Sequence, residues 1–349
     1  MHLENLSLTL LLGIFIASGV VIWIAGIHLS KTTSKLSTHF GLSSALGGLI
    51  ILALVTNLPE IAIVVSASLQ GNTEIAVGNI LGGIAMQTVV LVVLDVFGTN
   101  KKSNLTRESV SLTIALEGIL VIAILALVVL GSQLPSSLIF DRVTPAPLLI
   151  AATWVIGLRL LSKAEKNIPW KLVDSNGIIK VPKSENEKET NAGKQHIGKI
   201  MLIFFVAALF TLIAGVALER SGNAISKDIG MQGILFGATI MAAATSLPEV
   251  STGLTSMKLK QYELAVSDIF GGNAFLPVLF LLATLLSGKA ILPAAQKTDI
   301  YLTALAMLLT TVYTCGIIFR TKKKIIGMGL DSFVVLILYC VGVVGLFVI

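Results

Sequence analysis

The chain has little charge. Asp, Glu, Lys and Arg make up 13% of its 349 residues, against about 25% in soluble domains, which excludes an ordinary water-exposed surface. Cysteine is nearly absent, and Cys315 and Cys340 both fall within apolar stretches. There a thiol behaves as a small apolar group, so neither a disulfide framework nor a thiolate metal site is expected. Histidine is scarce too: His28, His39 and His196 fall at predicted helix ends or in loops, lack metal-ligand spacing and read as surface residues. No His-Glu-x-x-His motif occurs, and Gly327-Met328-Gly329-Leu330-Asp331 has one residue too many for Gly-x-Gly-Asp. Intramembrane proteolysis, and with it an enzyme, is therefore set aside. No basic patch is interleaved with aromatics, which excludes a nucleic-acid partner.

What is there is hydrophobic: 55% of the residues, with a mean hydropathy of +0.92. Runs long enough to cross about 30 Å of hydrocarbon lie at 7–28, 43–69, 75–97, 110–131, 146–162, 199–219, 232–257, 262–287, 299–319 and 327–349. The expected fold is all-α, a polytopic membrane protein of ten transmembrane helices. The first run lacks a basic segment before it or a small-residue cleavage site, so it reads as a retained helix. Lys and Arg favour the cytoplasmic side. With the loop after the fifth helix inside, the outer segments hold only Arg142, Arg220, Lys227, Lys289 and Lys297 of the 25 basic residues. Both termini are then expected outside, in the plasma (inner) membrane of a prokaryote, and the net charge of +6 reflects topology and anionic lipid. The polar stretch 163–198 is expected to be a cytoplasmic linker, partly disordered and too short for a sensing domain.

The chain also repeats itself. Residues 56–60 read TNLPE and 245–249 read TSLPE, and from Ala45–Gln87 against Ile234–Leu276, 15 of 43 positions are identical without a gap. The matches include Gly48 with Gly237, Glu74 with Glu263, and Gly82-Gly83 with Gly271-Gly272. Five helices per copy is an odd number, so the copies, 1–162 and 199–349, enter the membrane from opposite sides. Inverted repeats with interrupted helices place transport sites near the midplane.

Proline in a helix removes one hydrogen bond, so Pro59 is expected to free the carbonyl of Val55 and Pro248 that of Ala244. Thr56 and Glu60, like Thr245 and Glu249, are four residues apart and share a helical face. Carbonyl, hydroxyl and carboxylate oxygens suit hard cations, and an intramembrane glutamate is a functional candidate by default. The glycine pairs that follow allow close helix approach. Asn79 and Asp268, placed about one turn into their helices, are expected near the mouths as vestibule, capping or second-layer groups.

Those segments, each followed about 20 residues later by a Gly-Asn-like pair and a glycine-rich turn, resemble the alpha repeats of the calcium/cation antiporter superfamily, which includes the sodium/calcium exchangers. The resemblance implies a ten-helix inverted-repeat fold and alternating-access exchange of Ca²⁺ against Na⁺ or H⁺, with no cofactor. It implies Glu60 and Glu249 as central cation ligands, assisted by Thr56, Thr245, Asn57 and Ser246. The chain departs from the sodium/calcium branch at Gly82-Gly83-Ile84 with Gln87 and at Gly271-Gly272-Asn273 with Leu276, so two hydroxyl ligands and one potential carboxylate are missing. Gln87 and Asn273 remain as possible ligands. Asn57 is similar to the Asn of proton-coupled exchangers.

Two carboxylates suit one divalent cation, and their repulsion in low dielectric gives protons a way to compete. Protons replacing Na⁺ as the coupling ion is therefore the expectation. A monovalent cation/proton exchanger of the same fold is the alternative, with a cation channel behind it. Glu117 has Ala306 as its counterpart and reads as a lipid-edge or interhelical hydrogen-bonding residue, while Asp95 and Asp331 are expected at solvated cytoplasmic helix ends.

Overall fold

The computed structural model describes residues 6–71, 73–99, 103–109, 111–167, 172–173, 179–180, 197–228 and 242–346. His196, most of the 163–198 linker and the start of the expected 232–257 helix lie outside them.

The described chain is helical with two minimal hairpins. In order come α1 (Leu8–His39), α2 (Ser44–Leu46), a π-helix (Gly47–Leu52), α3 (Ala53–Thr56), α4 (Leu58–Leu69), α5 (Thr73–Gly98), α6 (Leu105–Glu108), α7 (Leu112–Ser132) and α8 (Pro145–Asn167). The antiparallel pair β1 (Leu172–Val173) and β2 (Ile179–Lys180) follows, then α9 (Ile197–Asp228), α10 (Ala242–Thr245), α11 (Leu247–Lys258) and α12 (Tyr262–Phe275). A 3-10 turn (Leu276–Val278) leads into α13 (Leu279–Ser287), then α14 (Lys297–Phe319), the hairpin of β3 (Lys324–Ile325) and β4 (Met328–Gly329), and α15 (Leu330–Gly345).

Among the described residues, seven helices are long and apolar enough to cross a membrane. The pair Ser44–Thr56 and Leu58–Leu69, bent by 49°, makes an eighth as a broken span. The protein is thus a polytopic helical membrane protein. Of the remaining expected spans, 232–257 is described only from Ala242, and α15, at 16 residues, is apolar but short.

Two helices outrun their expected ends by more than two turns. α1 continues past residue 28 to His39, so His28, Lys31 and Lys35 ride on helix rather than loop. Its polar stretch is satisfied from within: Thr32 donates to the carbonyl of His28 at 2.7 Å, Ser37 to that of Thr33 at 2.8 Å, and Ser30 shares a 2.8 Å hydrogen bond with Ser256 of α11. α9 likewise runs to Asp228, and Ser221, expected in an outer segment, is buried in it with its hydroxyl on the carbonyl of Leu218.

Helix starts follow local chemistry. Ser43 caps α2 and Ser111 caps α7 through their hydroxyls, and Gln296 with Asp299 forms a capping box on α14. Asp95 and Asp331 are buried rather than solvated. The Asp95 carboxylate accepts from the Leu105 and Gly329 amides and the Ser332 hydroxyl, all at 2.7 Å. It ties the end of α5 to α6, β4 and α15, which is why a charge is tolerated there.

The glycine expectation holds on one side. A Cβ on Gly271 would lie 2.7 Å from the Leu49 backbone, and one on Gly48 2.6 Å from the Leu264 carbonyl and 2.8 Å from the Ser267 Cβ. The π-helix and α12 therefore pack backbone against backbone. Among the described residues, a Cβ on Gly82 or Gly83 would meet nothing within 4 Å. Their counterpart of the Leu49 segment, around residue 238, falls outside those residues.

Candidate cation site

Both proline motifs break their helices at the residue before Leu-Pro-Glu. α3 ends at Thr56 and α4 begins at Leu58, with Asn57 between them; α10 ends at Thr245 and α11 begins at Leu247, with Ser246 between. Pro59 and Pro248 sit in the first turn of the new helices, where a missing N–H does no harm. They cannot donate to the carbonyls of Val55 and Ala244, as expected. The Asn57 amide partly covers the first break, donating to Ala53 and also facing the Val55 carbonyl.

The breaks bring the acidic residues inside. Glu60 and Glu249, each in the first turn of its helix, are 5% and 1% exposed. The charged groups acting on Glu249 are Glu60 and Asp268, so three carboxylates share one neighbourhood.

Asp268, expected near a mouth, has no solvent contact. It is fully buried, seven residues into α12, about 9 Å from the helix start at 1.5 Å per residue. Thr56 donates to its Oδ1 at 3.1 Å and Thr252 to its Oδ2 at 2.7 Å. Asp268 therefore joins the first motif to α11 and α12. Thr252 was not among the expected residues, because its counterpart at offset 189 is Ile63 and symmetry gives it no signal.

Amides complete the centre. Asn57 donates from Nδ2 to the Ala53 carbonyl at 2.7 Å, which turns its Oδ1 toward Gln87. Gln87 in turn donates from Nε2 to that oxygen at 3.1 Å and to Glu249 Oε1 at 3.4 Å. One residue along, Thr88 accepts from Asn273 Nδ2 at 3.0 Å. A Cβ on Gly272 would stand 2.7 Å from Asn57 Nδ2 and 3.4 Å from Gln87 Oε1, so a glycine is needed for the amides to approach.

Among the described residues, four buried oxygens around this network have no donor: Glu60 Oε2, Glu249 Oε2, Gln87 Oε1 and Asn273 Oδ1. Buried acceptors normally find a partner. A group of carboxylate and amide oxygens without one is the ligand chemistry of a hard cation.

The other expected residues stand further back. The hydroxyls of Thr245 and Ser246 both donate to the Ala242 carbonyl, at 3.2 and 2.8 Å, and among the described residues neither donates to a carboxylate. Thr245, unlike buried Thr56, is part-exposed. Asn79 donates to the backbone carbonyl of Glu60 at 3.4 Å, supporting the motif from outside it.

A family model described as sodium/calcium exchanger protein matches residues 10–162 and 199–348. The chain belongs to the sodium/calcium exchanger protein family. Membership in this exchanger family supports cation antiport as its general activity. Within the curated relatives, "Putative antiporter CaxA" of Alkalimonas amylolytica is 25% identical over 298 residues, spanning 84% of this chain and 87% of that one. "Inner membrane protein YrbG" of Escherichia coli (strain K12) is 23% identical over 270 residues, spanning 76% and 77%. Solved structures of the sodium-calcium exchanger NCX_Mj superpose with a TM-score of 0.66 at 16% identity, covering 97% of this chain and 99% of that one. A second NCX_Mj structure, soaked with Na⁺ and Sr²⁺, gives 0.67 at 15%. At such identities this likeness carries the exchanger fold rather than the ion set.

Proposed function

We propose that this exchanger-family member is a secondary antiporter that exchanges Ca²⁺ or a similar cation against H⁺ or Na⁺ by alternating access at one midplane site. In this reading residues 1–162 and 199–349 are inverted five-helix repeats joined by 163–198, making ten spans of an inner-membrane protein with both termini outside. The observation that carries it is the set of donorless oxygens on Glu60, Glu249, Gln87 and Asn273 beside a third carboxylate, Asp268.

Asp268 changes the charge balance expected of two glutamates. Two carboxylates neutralise a divalent cation, and the third leaves an excess negative charge when that cation is bound. It also answers the shortage of ligands left by Leu276. Three carboxylates in one low-dielectric region repel when no cation separates them, so the cation-free state needs positive charge. Protons or Na⁺ supply it, and occupation of the same oxygens by one ion or the other couples their movements. Asn57, held against Gln87, supports protons as the coupling ion.

The test is Ca²⁺ uptake into proteoliposomes, driven either by a pH gradient in Na⁺-free buffer or by a Na⁺ gradient at constant pH. Proton coupling predicts uptake under the pH gradient alone. Uptake confined to the Na⁺ gradient would return the chain to Na⁺ coupling.

The inverted arrangement makes its own prediction. With Cys315 and Cys340 replaced, cysteines introduced at Ser103 and at exposed Asn223 on α9 will react with an impermeant reagent from opposite faces, Ser103 from the cytoplasm. Asn223 takes the place that buried Ser221 cannot serve. Labelling of both from one face would break the five-plus-five inversion.

A further inference from the structure

Glu117 lies outside the cation centre and has no role in it. It is fully buried on α7, so the lipid-edge reading fails and the interhelical one holds: Ser267 of α12 donates to its Oε2 at 2.6 Å. Its Oε1 has no partner among the described residues. Ser267 immediately precedes Asp268, and a Cβ on Gly48 would touch both Ser267 and the Asp268 amide.

The groups around Glu117 form a gradient of exposure. Glu263 lies one turn before Ser267 on α12 and so shares its face, and Glu165 lies near the end of α8; both helices pack against α7. From α14 comes an uncharged side chain, Thr314, against the adjacent Gly118. Glu165 is exposed near the end of α8, Glu263 is part-buried in the first turn of α12, and Glu117 is fully buried. Among the described residues no cation neutralises the inner member of this line. A carboxylate buried in a membrane helix without a cation marks an ion or proton pathway more readily than a stabilising contact.

We propose that Glu117 is a proton-binding group that carries protons between the face where α8 ends and α12 begins and the surroundings of the cation centre. This rests on the proton coupling put forward above. As an O–H bond on Glu263 breaks, one forms on Glu117, and the first carboxylate regains the negative charge that the second loses. The Ser267 hydroxyl, with two acceptor lone pairs as well as its proton, gives that proton to Glu117 Oε2 as it takes another. No redox partner is involved.

The experiment compares wild type, Glu117→Gln and Glu117→Asp in proteoliposomes, measuring pH-gradient-driven Ca²⁺ uptake and Ca²⁺/Ca²⁺ self-exchange at equal pH on the two sides. Glu117→Gln is expected to lower proton-driven uptake by at least about tenfold and leave self-exchange within about twofold, as loss of a proton-transfer group would. Glu117→Asp is expected to restore most of the proton-driven rate. Equal loss of both activities in Glu117→Gln would make the residue a structural hydrogen-bond partner and overturn the proposal, as would proton-driven uptake that survives the substitution. A wild type driven only by Na⁺ would remove the coupling reading and this pathway together, an outcome visible before any variant is measured.

Discussion

Glu60→Gln and Glu249→Gln are each expected to lower Ca²⁺ exchange by roughly 100-fold or more while the protein still inserts and folds. The amide keeps the shape of the carboxylate, so α4 and α11 still begin where they do. What is lost is a negative charge among oxygens that have no other donor among the described residues. Charge-assisted contacts in a dry site are worth about 3 kcal/mol, roughly 100-fold in affinity. In Glu249→Gln the new amide also meets Gln87 Nε2, which now donates to Glu249 Oε1, so one orientation sets two donors against each other. The measurement is ⁴⁵Ca²⁺ exchange in proteoliposomes, normalised to protein that elutes as a single species in detergent. Near wild-type exchange by either variant would take that glutamate out of the site.

Asp268→Asn is expected to weaken apparent Ca²⁺ affinity by about tenfold to 100-fold, an effect that a mouth position would not produce. Both carboxylate oxygens accept hydroxyl hydrogen bonds, from Thr56 and from Thr252. An Asn side chain can accept only one of them and turns its NH₂ toward the other hydroxyl, and hydrogen bonds to a charged group are worth about 1.5–3 kcal/mol each. Asn79→Ala serves as the contrast, because Asn79 reaches only a backbone carbonyl at 3.4 Å; its affinity should shift by less than about threefold. The Ca²⁺ concentration dependence of uptake separates the two. Equal, small effects would return Asp268 to the periphery.

Much of this centre was legible in the sequence because charge and proline are conspicuous in apolar surroundings. Glu60, Glu249 and Pro59 with Pro248 could be picked out before any coordinates, and the helix breaks fall beside them. Gln87 and Asn273 could be nominated as polar positions near the glycine pairs. The role of Asp268 could not be read although the start of α12 was, since it depends on the packing that brings Thr56 and Thr252 onto its carboxylate. Thr252 was hidden by the search for symmetry, its counterpart Ile63 being apolar. The repeat extends to hydrogen bonds: Thr245 and Ser246 both donate to the Ala242 carbonyl as their counterparts Thr56 and Asn57 both donate to that of Ala53, but only Thr56 also reaches Asp268. Helix length failed at α1 and α9 because a hydropathy window ends where polarity begins, whereas Ser30, Thr32 and Ser37 bury their hydroxyls inside the protein.

The wide turn of Gly47–Leu52 sets a rotational phase. An α-helical segment there would need one residue fewer per closed turn, and each residue of an α-helix accounts for about 100° of rotation. Deleting a single residue between Gly47 and Leu52 would leave Thr56 and Glu60 in place. It would swing everything before the deletion around the helix axis, taking Gly48 away from Leu264 and Ser267. This stretch works as a phase adjuster: it absorbs the difference between the angle at which the chain must meet α12 and the angle at which it must present its oxygens to the ion.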